Sequence, residues 1–124
     1  MPTTGDDGGV TPTDALARTR AETLAQIAAL GREFDEVVAA SRSSNADDEH
    51  DPEGATIAFE RQQVAALIAQ AQQRLADVDA ALARAAAGDY GTCDSCGQPI
   101  APERLAARPQ ARTCITCASR PARR

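Results

Sequence analysis

From Leu16 onward the apolar positions of the chain step by four and three: Leu16, Arg20, Thr23, Ile27, Leu30, Phe34, Val37 and Ser41. That spacing keeps one stripe on one side of a helix, because 3.6 residues make a turn. The seam is polar at its start and apolar from Ile27, and Leu24 and Val38 widen it. Thr13 or Asp14 is expected to cap the helix, and Gly31 to weaken without breaking it. A second seam is more regular: Ile57, Arg61, Val64, Ile68, Ala71, Leu75, Val78, Leu82 and Ala85. It stops at Gly88, the residue type best able to turn left-handed after a helix.

Between the seams the periodicity vanishes. Ser41 to Gly54 is polar and acidic, and Asp51-Pro52 is a start signal for the second helix. Each predicted helix has about 30 residues, on the order of 45 Å. Two such helices joined by a polar turn predict an antiparallel coiled-coil hairpin over 14–88, its tip at about 42–54. The alternative is a pair of ordinary helices in a bundle, for which the remaining chain offers little cover. Residues 1–13 read as a disordered arm with little to bury.

Composition supports the hairpin. Of 124 residues only Phe34, Phe59 and Tyr90 are aromatic, so a broad core built on large rings is excluded. Ala, Leu, Ile and Val suit thin helix-on-helix packing. All 13 fixed cations are Arg, and the net charge of −5 argues against a chain that wraps nucleic acid. No apolar run is long enough to span a bilayer. Met1–Thr13 carries no secretory signal, so a cytoplasmic location is expected.

The strongest chemical signal follows Gly88. Cys93-Asp-Ser-Cys96 and Cys114-Ile-Thr-Cys117 are the only cysteines, with 97–113 between them. A two-residue gap turns both thiolates of a pair toward one ion, and two pairs close a tetrahedral zinc shell. Four sulfurs leave no open position, so one structural Zn²⁺ is expected at Cys93, Cys96, Cys114 and Cys117. The alternative, two disulfides, belongs to oxidising compartments; thiolate oxidation as a redox switch is a further option. Gly97 should make a tight turn. Pro99, Pro102 and Pro109 are expected to break helix between the pairs, with Ile100 and Leu105 packing beside the metal. A short helix should run from Cys114 to about Arg120, completing a finger over 89–120 with a basic tail, 121–124. The fold class is therefore all-α: a long antiparallel coiled-coil hairpin plus a small C-terminal four-cysteine zinc finger with a short helix.

The stretch Gly88-Asp-Tyr-Gly-Thr-Cys-Asp-Ser-Cys-Gly-Gln-Pro-Ile100 resembles the zinc-finger signature of the DksA/TraR family. Tyr90-Gly91, Arg104-Leu105 and Pro109-x-Ala111 make the likeness specific, over about Glu53 to Arg120. The resemblance implies a bacterial transcription regulator that binds RNA polymerase core directly, with its coiled-coil tip entering the secondary channel to modulate initiation. Acidic tip residues would act near the catalytic Mg²⁺. The family tip often reads Asp-x-x-Asp-x-Ala; counted back from Cys93 without gaps, those positions are His50, Glu53 and Ala55. The second acid is kept as Glu53, the alanine as Ala55, and Asp51 neighbours the missing first acid. Some family members work with ppGpp through basic side chains of the second helix. Here the corresponding stretch offers Gln70 and Asp77, with Arg74 and Arg84 nearby, and Asp77 disfavours an anion. Little or no ppGpp synergy is expected.

Asp47, Asp48, Glu49, Asp51 and Glu53 crowd five negative charges near the turn. Burying them without cations would be costly, so they should be solvated in the free protein and attracted to Mg²⁺ or a basic wall. The plainer reading is a turn whose acids only keep the hairpin soluble. His50, far from the cysteines in sequence, reads as a solvated turn residue. Two other functions are open. A zinc-ribbon nucleic-acid binder would use Arg104, Arg108, Arg112, Arg120, Arg123 and Arg124, against the net acidity and the lack of stacking aromatics. A coiled-coil adaptor would dimerise through its seam, whereas the hairpin reading gives a monomer. An enzyme is not expected: the metal shell is saturated, and no Ser-His or Cys-His pair or Gly-rich phosphate loop is evident.

Overall fold

The computed structural model describes residues 11–44 and 52–120. Four helices follow in order: α1 (Pro12–Ser44), α2 (Pro52–Ala87), α3 (Pro102–Ala107) and α4 (Ile115–Ala118). No strand occurs among the described residues; the one extended pairing is an isolated antiparallel bridge between Thr92 and Pro99. The chain forms two compact units, one of Met1–Ala21 with Leu75–Arg124, the other of Glu22–Arg74. The long helices α1 and α2 pack on each other within both.

α1 starts two residues earlier than the hydrophobic pattern suggests. The Asp14 N–H donates to Thr11 Oγ1 at 3.0 Å, so the cap is Thr11 rather than Thr13 or Asp14. Pro12 then takes the first helical position, where its missing N–H costs nothing. At the other end α1 runs to Ser44, so Arg42 and Ser43, expected in the turn, are helical. Extending an existing helix adds one hydrogen bond per residue fixed, and Arg42 in the last turn favours the helix dipole. α2 begins at Pro52 as its start signal predicts. It ends in a paired reverse hydrogen bond: Gly88 N–H donates to Ala85 O at 3.2 Å and Asp89 N–H to Arg84 O at 2.8 Å. Gly88 sits at φ +86°, a conformation a side chain would strain.

In the Glu22–Arg74 unit the core is Leu30, Val64 and Ala71, with Ile27, Phe34 and Ile68 packed against it. Arg74 Nη1 donates to Gln26 Oε1 at 2.8 Å across the pair. The partners run in opposite chain directions, as an antiparallel hairpin requires. In the metal-bearing unit the core is Leu16, Val78 and Ala81, covered by Leu82 and Tyr90. Leu16 and Val78 are wholly buried, worth about 1.5–3 kcal/mol each in apolar transfer. The polar seam positions divide. Thr23 is buried, whereas Arg20 stays half-exposed and pairs with Asp79 at 2.6 Å. Arg61 is exposed despite its seam position. Of the two α1 residues expected to widen the stripe, Leu24 is 42% exposed and Val38 is partly buried, while on α2 the buried Ala81 lies off the predicted seam.

Candidate metal centre

The first pair of cysteines lies on a reversed loop after α2. Cys93 N–H donates to Gln98 O at 2.8 Å and Ile100 N–H to Gly91 O at 2.7 Å, closing the arms around the Thr92–Pro99 bridge. Gly97, at φ +77°, makes the turn, and its N–H donates to Cys93 O at 2.9 Å. Ile100 is buried beneath this loop, and Leu105 Cδ1 lies 3.6 Å from where a Cβ on Gly91 would stand.

Pro102 does not break helix; it starts one. α3 opens on Pro102, because proline fits the first turn of a helix even where it would disrupt the interior. The chain then returns through Pro109 and Ala111 to the second pair. Cys114 caps α4, accepting the Cys117 N–H on Sγ at 3.5 Å, while its carbonyl accepts the Ala118 N–H at 2.9 Å. This helix is shorter than the expected Cys114–Arg120 span.

The four Sγ atoms of Cys93, Cys96, Cys114 and Cys117 all lie within 4.8 Å of one another. Cys96 Sγ and Cys114 Sγ, from different pairs, are 3.8 Å apart. A tetrahedron with Zn–S bonds of about 2.3 Å has edges of about 3.8 Å. All four are free thiols, so the disulfide alternative falls. The donor set is soft, four-fold and convergent, which fits a closed zinc shell and leaves no ligand position for substrate.

The local electrostatics favour a cation. Hydrogen bonds from the backbone, that of Cys114 foremost, hold the Cys93 thiol down at about 6 against burial. The Ser95 N–H, 3.4 Å from Cys93 Sγ, is one of these donors. Cys114 is lowered chiefly by the Cys117 backbone. Burial and then the neighbouring sulfurs push Cys117 up to about 12. Four thiolates cannot all ionise side by side without a positive centre, and a divalent ion supplies it while displacing the remaining protons.

Side chains outside the metal shell tie this region together. Tyr90 donates its hydroxyl to Pro109 O at 2.9 Å, and Arg84 Nη2 donates to Ala111 O at 3.3 Å. Arg104 Nε donates to Thr113 O at 2.8 Å, and Arg112 Nε to Asp94 Oδ2 at 3.0 Å. The sequence flagged Tyr90 and Arg104 as signature residues without revealing what they touch; the role of Asp94 was missed. Asp77 shares a cleft of about 330 Å³ with Arg104, Arg108 and Arg112.

Of the other expected site residues, Asp47, Asp48, Glu49, Asp51 and His50 lie outside the described residues, as do Arg123 and Arg124. Glu53 falls in the first turn of α2, and Ala55 is exposed one turn into it. No described helix is long and apolar enough to cross a membrane.

Residues 88–121 match the model of the prokaryotic dksA/traR C4-type zinc finger. A comparison with curated proteins found no match. Among solved structures the chain is similar to the transcription factor DksA2 from Pseudomonas aeruginosa. The identity is 34% and the TM-score 0.69, covering 86% of this chain and 77% of the other. The likeness extends well beyond the finger into the paired long helices, and with it the chain belongs to the DksA/TraR C4 zinc-finger family, its four cysteines holding one structural zinc.

Proposed function

We propose that this chain is a cytoplasmic, non-enzymatic, monomeric transcription regulator that binds RNA polymerase core and enters its secondary channel with the hairpin tip. The observation that carries this reading is the 34% identity over 77% of a protein described as a transcription factor. Two long antiparallel helices joined by an acid-rich connection supply a fitting tool. The acids at Asp47, Asp48, Glu49, Asp51 and Glu53 would be repelled by one another in water and drawn to a basic wall or a Mg²⁺ ion. Ala55, small and exposed, lets the first turn of α2 approach a surface closely.

Synergy with ppGpp is proposed to be weak or absent. Asp77 puts a carboxylate where an anion would want a cation, and Arg74 is already engaged with Gln26. Nucleic-acid binding through the C-terminal arginines is the weaker reading, because the net charge is −5 and Arg104 and Arg112 already engage Thr113 O and Asp94. Of the described arginines near the finger, Arg108, Arg112 and Arg120 are exposed for a slight contact.

The test is retention on immobilised core polymerase, with a photo-crosslinking residue in place of Asp47. Crosslinks to channel-lining segments, together with an altered open-complex lifetime that Glu53→Ala abolishes while retention persists, are expected. Failure of the wild-type protein to be retained, or crosslinks confined to the polymerase exterior, would overturn the proposal. Equal loss of binding and effect in Glu53→Ala would make the tip a docking element only.

A further inference from the structure

The Cys114 segment is held by contacts that contain no sulfur, two of them to the Cys93 segment and one to α3. Asp94, next to Cys93, is tied to Arg112 twice. Its N–H donates to Arg112 O at 2.8 Å, and Arg112 Nε donates to its Oδ2 at 3.0 Å. Thr113, next to Cys114, gives its carbonyl to Arg104 Nε at 2.8 Å. Each contact therefore grips the residue adjacent to the first ligand of a pair. Arg104 acts from α3, whose first turn is closed by the Arg104 and Leu105 N–H groups donating to the N-cap carbonyl of Ala101.

We infer that Arg104 and Arg112 are positioning residues for the metal, Arg112 holding the Cys93 and Cys114 segments together and Arg104 holding the Cys114 segment to α3, independently of the ion. Residues 97–113 separate the pairs, so bringing the segments together costs loop-closure entropy that falls on metal binding if nothing else holds them. Contacts made by the protein transfer that cost to folding, and the ion meets ligands already in place. Outer partners that orient metal ligands typically change metal affinity roughly 10–100-fold when deleted, and here they act through Asp94 and Thr113, the residues adjacent to Cys93 and Cys114.

Positive charge near thiolates would also retain a metal-site anion cluster, and Arg108 separates the two explanations. It lines the same cleft and carries the same charge, with an exposed side chain. Zinc release from the full-length, zinc-loaded chain to a chromophoric chelator should therefore be compared for Arg104→Ala, Arg112→Ala and Arg108→Ala. Release is expected to be roughly 10–100-fold easier in the first two and unchanged in the third. Cobalt substitution adds a spectroscopic readout: its tetrahedral thiolate bands should broaden or weaken in Arg104→Ala and Arg112→Ala.

Asp94→Ala opens the same ion pair from its other side, and should match Arg112→Ala with no further loss when the two are combined. Should Arg104→Ala lose the finger altogether, seen as helicity retained without cobalt bands, the Asp94 and Arg112 cycle decides by itself. Equal weakening by Arg108→Ala would reduce the effect to net charge and overturn the inference. Parent-like release from Arg112→Ala and Asp94→Ala would overturn it as well.

Discussion

The Tyr90 hydroxyl and the Pro109 carbonyl, 19 residues apart in sequence, meet at 2.9 Å. Tyr90 also packs on the Leu16, Val78 and Ala81 core, so one side chain connects the hairpin base with the return segment of the finger. Tyr90→Phe keeps the ring and removes the hydrogen bond, leaving a carbonyl without its donor. The expected cost is about 1 kcal/mol, read as a lower midpoint in denaturant unfolding of the zinc-loaded protein.

The same residue predicts a pH dependence. Burial raises the Tyr90 phenol above its ordinary 10.0, with Arg84 opposing the shift. A group whose folded value is raised contributes stability that is whole below pH 10.0 and fades as pH climbs through the folded value. Tyr90 is the only tyrosine, and there is no tryptophan, so phenolate absorbance reports it alone. The native ionisation midpoint should lie above that of the unfolded chain; a midpoint at or below it would contradict the burial.

Cys96→Ser removes one of four convergent sulfurs, from the most exposed position of the set. A three-sulfur shell admits water and loses the closed geometry, so zinc content after dialysis should fall from one per chain toward zero. The paired helices of the Glu22–Arg74 unit have their own core and should keep their helical signal.

Periodicity was enough to find both helices, because burial follows spacing. Every α1 seam position from Leu16 to Ser41 is buried or partly buried, the polar Thr23 included. It was not enough to place their ends. Thr11-Pro12 is a cap and first-turn pair that precedes any apolar residue of the seam, so a reading keyed to Leu16 looks too late. Pro102 departs from expectation for a related reason: proline ends a helix from inside but begins one from its first turn. The cysteine spacing exposed the metal site because local geometry alone aims each pair. The contacts of Arg104 and Arg112 join residues 9 and 18 apart, and nothing in local spacing reports which carbonyl or carboxylate a long side chain will meet.

Arg20 stands on the seam where an apolar residue would pack, yet it is tolerated. Its side chain remains 42% exposed and reaches Asp79, itself 47% exposed, at 2.6 Å. Both charges therefore keep much of their hydration, and the desolvation cost of the pair is small. A double-mutant cycle with Arg20→Ala and Asp79→Ala should give a coupling of only about 0.2–1 kcal/mol, shrinking as salt rises. A coupling of several kcal/mol, insensitive to salt, would mean the pair is buried.

Gly31 lies inside α1, one residue past the buried Leu30, in ordinary helical backbone. A Cβ built there meets nothing within 4 Å, so no packing reason for glycine is present. Its backbone freedom in the unfolded chain is lost on folding without return, and alanine loses less. Gly31→Ala should stabilise the protein by about 0.5–1 kcal/mol, measured as an upward shift of the thermal midpoint with zinc content unchanged.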